Sequence, residues 1–191
     1  CDWSSDVCSS DLEDMQTQDI LIVIDMQNDF IDGSLGTKEA RAIVPAVTAE
    51  IGRDYDRVLY TQDTHESDYP QTVEGRKLPI LHCQRGSRGW AVEPGIQAAL
   101  DSRSAKGFTK PTFGSLDLAS ELVRLNDDAP IASLTFVGLC TDICVISNVL
   151  MAKANLPNVQ IRVIADQCAG VSPESHDTAL KAMTACHIEI V

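Results

Sequence analysis

The chain reads as one α/β domain of three layers, helices on both faces of a six-stranded, mainly parallel sheet. Short apolar runs of strand length alternate with amphipathic segments of helical period, in the order βαβαβαβαβαβ. The first run, DILIVIDM, is apolar without alternation, as in strands covered on both faces. At 191 residues, 44% hydrophobic and 23% charged, the composition suits a globular domain with a substantial core. The expected arrangement is Rossmann-like, with no internal repeat and no linker.

The elements follow in order. Asp19 to Met26 forms the first strand. Lys38 to Ile51 carries Ala40, Ile43, Val44, Val47 and Ile51 on one helical face. Arg57 to Thr61 is the second strand, followed by a long polar loop from Gln62 to about Arg88. A short helix lies near Ile96 to Leu100, and Gly107 to Thr109 enters a weaker third strand. Leu116 to Leu125 is a helix with Leu118, Leu122 and Leu125 in line. Ser133 to Val137 is the fourth strand, and Ile143 to Ala154 an apolar helix. Gln160 to Ala165 is the fifth strand. Ser172 as N-cap and Pro173 at the first helical position start a helix reaching about Cys186. His187 to Val191 closes the sheet as a sixth strand.

Residues 1–12 stand apart. From Asp2 to Leu12 they match the translation of a common sequencing-library adapter, so they are expected to be a disordered, non-native scar, with the domain spanning 13–191. Without Asp2, Asp6 and Asp11 the charge of −13 becomes −10. That balance argues against nucleic acid as a partner, since phosphate binding needs clustered cations. No run reaches the length of a membrane span, and no secretory signal is visible. Cys83, Cys140, Cys144, Cys168 and Cys186 are unevenly spaced and read as free thiols in a reducing cytoplasm. Cys168 and Cys186 fit core or near-core positions.

In open α/β sheets, sites lie beyond the carboxyl ends of the strands. Asp25 ends the first strand, Asp63 and His65 follow the second, Lys110 follows the third, and Cys140 and Cys144 follow the fourth. A helix start at the end of a buried strand favours a thiolate at Cys144, with Cys140 the weaker competitor. Asp25 reads as a general base, though an Asp here also serves simply as a turn cap. Lys110 alone is an ordinary surface cation; beside a buried Asp it becomes a charge partner. Asp63-x-His65 leaves a strand with both side chains on one side, and with His82 offers a carboxylate and two imidazoles suited to Zn²⁺, Fe²⁺ or Mn²⁺. Glu74 could add a fourth donor. Cys83, next to His82, ranks below these as a ligand. His176 and His187 read as structural.

Together these segments resemble the isochorismatase-like cysteine hydrolases, the nicotinamidase and pyrazinamidase branch in particular, from about Asp19 to Val191. The resemblance rests on Ile24-Asp25-Met26-Gln27-Asn28-Asp29-Phe30, Thr61-Gln62-Asp63-Thr64-His65, Leu78-Pro79-Ile80-Leu81-His82-Cys83, Phe108-Thr109-Lys110, and Val137 to Val145. It implies a catalytic triad of Asp25, Lys110 and Cys144, and a divalent metal, zinc first, at Asp63, His65 and His82 with Glu74 suitably placed. It also implies a cis Leu139–Cys140 peptide and an oxyanion hole from the N–H groups of Cys140 and Cys144. The implied reaction is hydrolysis of a small carboxamide, nicotinamide foremost, to the acid and ammonia through a Cys thioester. A homo-oligomer with no nucleic-acid or membrane partner is implied as well. Where many nicotinamidases carry Trp-Pro, this chain has Leu78-Pro79. Phe30 then becomes the expected aromatic wall for the substrate, with Tyr69 or Trp90 as a second. The alternatives are a hydrolase for another amide, ureide or carbamoyl compound, and a non-catalytic binding or redox-sensing protein on the same fold. Isochorismatase chemistry, which uses no metal, fits the metal donors less well.

Overall fold

The computed structural model describes residues 17–191, so the adapter-like segment 1–12 lies outside the described residues. β1 (Gln18–Ile24) is central. After it come α1 (Asn28–Ile31), α2 (Lys38–Ile51), β2 (Arg57–Asp63), a 3₁₀ turn at Tyr69–Gln71, α3 (Val73–Lys77), α4 (Pro94–Ser102) and β3 (Lys106–Lys110). Then follow α5 (Leu116–Asp128), β4 (Ile131–Leu139), a π turn at Thr141–Val145, α6 (Ile146–Asn155), β5 (Gln160–Ala169), α7 (Pro173–Ala185) and β6 (Glu189–Ile190). The six strands lie in the order β3-β2-β1-β4-β5-β6, and every neighbouring pair is parallel.

Period-two alternation splits the core into two layers. Ile20, Ile22 and Ile24 of β1 pack with Leu118, Leu122 and Leu125 of α5, Val149 of α6 and Met183 of α7. Leu21 and Val23 face the other way, onto Phe30 and Ile31 of α1, Val47 and Ile51 of α2, and Ile96 and Leu100 of α4. Each such buried aliphatic or aromatic side chain contributes roughly 1.5–3 kcal/mol from leaving water. The sheet order places the switch in winding direction between β1 and β4, so the crevice opens at Asp25 and Cys140.

At that switch Ile24 pairs with Gly138, whose φ is +118°. A Cβ on Gly138 would sit 2.1 Å from the Ile24 carbonyl oxygen. Only glycine lets the two strand ends approach this closely. The Leu139–Cys140 peptide that follows is cis.

Several elements differ from the sequence reading. The polar loop after β2 contains the 3₁₀ turn and α3, whose Thr72 cap accepts from the Gly75 N–H. β4 and β5 run further because strand pairing continues past a register shift to Gly138–Cys168 and Leu139–Ala169. The helix expected from Ile143 begins as the π turn, and α6 proper starts at Ile146. The last strand shrinks to two residues, since β5 offers it only Arg162 and Val163 as partners. Ser172 caps α7 as expected, in a reciprocal capping box with Ser175. Cys168 is buried, but Cys186 is exposed at the C-cap of α7. Met183 and Ile188 fill the core there instead.

Candidate active site

Asp25 leaves β1 with φ +46°, a left-handed conformation that Asp tolerates better than most residues, and is fully buried. Its Oδ1 accepts from the Thr61 hydroxyl at 2.6 Å. The β2–β3 register pairs Asp63 with Lys110, which brings the lysine to the same crevice. Lys110 Nζ lies 2.7 Å from Asp25 Oδ2, 3.3 Å from Asp63 Oδ1 and 3.5 Å from Cys144 Sγ. Its exposure is 2%, so it is a buried cation held between two carboxylates and a thiol rather than a solvated surface lysine.

Charge and burial set the proton affinities. Burial draws the Lys110 ammonium down, but Asp25, Cys144 and Asp63 together push it above its ordinary value. Burial pushes the Asp25 carboxyl above the usual carboxylate range, against the pull of Lys110. Asp63 goes the other way. Burial raises it, but the adjoining His65 and His82 imidazoles and the Lys110 charge hold it well below the usual range. The Cys144 thiol is pushed well up, first by burial and then by Asp25, with Lys110 opposing. The helix start, which favours a thiolate, acts here against burial. Cys140, also facing the cavity, is pushed up to about 12, again mainly by burial.

A second group of donors adjoins the first. His65 follows β2, and its N–H donates to the Cys83 carbonyl, a pairing that sets it beside His82. His65 Nε2 is 2.9 Å from Asp63 Oδ2, and His82 Nε2 is 3.6 Å from the same oxygen. Glu74 Oε1, on the first turn of α3, lies 3.7 Å from both imidazole nitrogens. Donors around a four-coordinate ion with bonds of 2.0–2.1 Å stand about 3.3 Å apart, so these spacings fit. His82 Nδ1 is 2.8 Å from the Ile80 carbonyl, which can only accept, so the proton is on Nδ1 and the Nε2 lone pair is free to bind. His65 Nε2 is buried without a well-aligned hydrogen bond, as suits a nitrogen aimed at an ion. Asp63, His65 and His82 bring three ligand atoms close enough to hold a divalent metal ion, with Glu74 nearby.

Both groups border one cavity of about 590 Å³, whose wall includes Cys144, Cys140, Asp63, Glu74 and His82. Phe30 lines it, 5.7 Å ring to ring from His82. The other two aromatic candidates lie elsewhere. Tyr69 is buried against His65 and His82 and donates its hydroxyl to the Leu78 carbonyl. Trp90 donates its indole N–H to Thr64. Phe113 is the second aromatic on the wall. Sequence reasoning missed it because it precedes α5 without any motif of its own. It also assigned no role to Gln27, which is wholly buried. Gln27 Oε1 accepts from the Asp63 N–H at 2.7 Å, and its Nε2 donates to the Asp63 carbonyl at 2.8 Å. Its place between Asp25 and Asn28 in a polar run after a buried strand was the available signal. Cys83 is buried, with its thiol pushed up by burial, and stands outside the donor group. His176 holds the π turn through its Nδ1, 2.8 Å from the Thr141 hydroxyl.

Residues 19–191 match the family model described as Isochorismatase domain. The nicotinamidase/pyrazinamidase of Mycobacterium tuberculosis is 27% identical over 182 residues, covering 90% of this chain and 97% of that protein. The crystal structure of a nicotinamidase/pyrazinamidase from Bacillus subtilis superposes with a TM-score of 0.76 at 24% identity, over 92% of this chain and all of that one. The pyrazinamidase of Pyrococcus horikoshii, solved in complex with zinc, gives 0.71 at 24% identity, over 91% and 98% of the two chains.

Proposed function

Because this chain belongs to the isochorismatase domain family, we propose that it is a cysteine amidohydrolase cleaving nicotinamide to nicotinate and ammonia. The observation that carries the reading is Lys110. Its Nζ touches the carboxylate of a buried base and the sulfur of a buried cysteine at the wall of one cavity, beside a metal-binding group. Relatives named as nicotinamidases supply the substrate.

Asp25 takes the thiol proton as Cys144 Sγ attacks the carboxamide carbon. A carboxylate raised by burial holds that proton more readily than an ordinary one. The backbone N–H groups of Cys140 and Cys144 face the developing oxyanion; losing one such donor typically costs roughly 10²–10³ in rate. Collapse of the tetrahedral intermediate expels ammonia with the proton from Asp25. Asp25 then removes a proton from water, which attacks the thioester; that proton returns to Sγ, and the acid leaves as nicotinate, its carboxyl proton passing to solvent. Lys110 stays protonated and balances the carboxylate and the sulfur as charge moves between them. Phe30 walls the ring. A zinc ion held by Asp63, His65 and His82, with Glu74 beside them, would supply an electrophilic anchor for a lone pair of the substrate ring and so fix its orientation.

Ammonia release from nicotinamide by the purified protein tests this, beside Cys144→Ala. Release by the wild type and none by the variant supports the reading. No release from any small amide, with Cys144 inert to thiol reagents, refutes it. Metal content of Asp63→Ala and His82→Ala tests the second group, since unchanged content removes that assignment. A second reading, hydrolysis of another small amide, is favoured by the size of the cavity and by Leu78 on its wall.

A further inference from the structure

The cavity has more room, and more apolar wall at its mouth, than nicotinamide alone needs. Nicotinamide, nine non-hydrogen atoms, fills at most about 270 Å³ even at the ~30 Å³ that each molecule takes in liquid water. The cavity holds about 590 Å³. Its lining is mixed. Cys144, Asp63 and His82 carry the reactive groups, and Leu35, Val73, Leu78, Phe113, Ile143 and Val171 are apolar. Val73, Phe113 and Val171 are 65%, 45% and 59% exposed. They come from α3, the loop before α5 and the loop before α7, yet converge on one opening. Scattered exposed apolar residues are ordinary, but three from distant segments meeting at a reactive pocket mark a binding surface. Apart from the reactive and metal-facing groups, the polar side chains in the lining are Thr37, Thr112 and Lys77, which can present methyl groups or a methylene stem.

We infer that the substrate class is a carboxamide whose acyl group carries a neutral apolar extension, held between Val73, Leu78, Phe113 and Val171 while the amide meets Cys144. This rests on the amidohydrolase reading and narrows its substrate.

The probe is nicotinamide with a propyl group at ring carbon 5, which leaves the carboxamide and the ring nitrogen unencumbered. Binding is measured by calorimetry on metal-loaded Cys144→Ala, so this inference is judged even where no turnover occurs. Hydrolysis is measured separately on the wild type by ammonia release. The propyl compound is expected to bind at least about tenfold more tightly than nicotinamide, since a single well-held methylene can be worth that much. A matching gain in kcat/KM is expected if the amidohydrolase reading holds. Equal or weaker binding overturns the inference and leaves the amidohydrolase reading intact. Tighter binding without ammonia release from either compound keeps the apolar subsite but sinks that reading, and the substrate class falls with it. A carboxyethyl group at the same position is the counter-probe, because Lys77 could draw an anion. If it binds more tightly than propyl, a neutral extension is wrong. Val73→Trp and Leu78→Trp, each narrowing the apolar side, are expected to erase the propyl preference. Full retention in both variants would place the extension elsewhere and overturn the assignment.

Discussion

Replacing Lys110 by methionine keeps most of the side-chain volume and removes the ammonium that touches Asp25, Asp63 and Cys144. Asp25 and Asp63 are 0% and 3% exposed, so neither can turn to water. Breaking a buried pair by deleting one partner costs roughly 3–5 kcal/mol. That is a large share of the roughly 5–15 kcal/mol that holds a domain folded. At about 2–4 °C per kcal/mol for a chain of this size, Tm should fall by roughly 6–20 °C. The loss should also depend on pH. Burial already raises the Asp25 carboxyl, and the variant lacks the cation that draws it down. A carboxyl with a folded pKa above its unfolded value of about 3.9 favours the folded state below that value, and the contribution is lost as pH rises through the folded pKa. The gap between variant and wild type should therefore narrow on going from pH 8 to pH 5. Scanning calorimetry in one metal-containing buffer reads both effects. Lys110→Met with Asp25→Asn should recover much of the lost Tm, because a neutral amide replaces the stranded carboxylate, while activity stays absent. A single variant within about 2 °C of wild type at both pH values, less than even one kcal/mol would shift it, refutes the account of Lys110 as the buried counter-charge.

Cys144→Ala should lose at least about 10³-fold in kcat, the scale seen when a nucleophile acting in concert with its base is removed, as read by ammonia release. Gln27→Leu strands the Asp63 N–H and carbonyl that Gln27 satisfies. Metal affinity should drop roughly 10–100-fold in a chelator competition, as when an outer-shell partner is lost; unchanged affinity would show that Asp63 needs no such hold. Gly138→Ala puts a Cβ 2.1 Å from a backbone oxygen at φ +118°, so soluble yield should collapse or stability fall by more than about 4 kcal/mol. Ser172→Ala removes the α7 capping box and should cost about 1 kcal/mol, visible as a Tm loss of about 2–4 °C.

Much of the candidate site was legible from the chain because its residues sit at strand ends. Asp25, Asp63, His65 and Cys144 follow apolar runs that the sequence marks plainly, Lys110 follows the weaker third strand, and parallel strands bring such ends to one edge. Glu74 was legible only as a residue type, since α3 is a single capped turn inside a polar stretch with too few residues for a period to show. Gln27, Phe113 and Val171 were harder still. Their importance lies in what stands opposite: Gln27 meets Asp63 from 36 positions away, and the wall residues converge from separate loops.

The alternation of apolar runs and amphipathic segments determined the layers, the number of strands and the end of the sheet at which chemistry gathers, because each is a property of neighbours along the chain. The burial of Cys144, the pairing of Lys110 with two carboxylates and the shape of the cavity were decided only in three dimensions. A helix start favours a thiolate, but the sulfur is buried by segments far from it in sequence, and that burial pushes its thiol well up. Desolvation and charge pairing depend on distances between residues that the order of the chain does not contain.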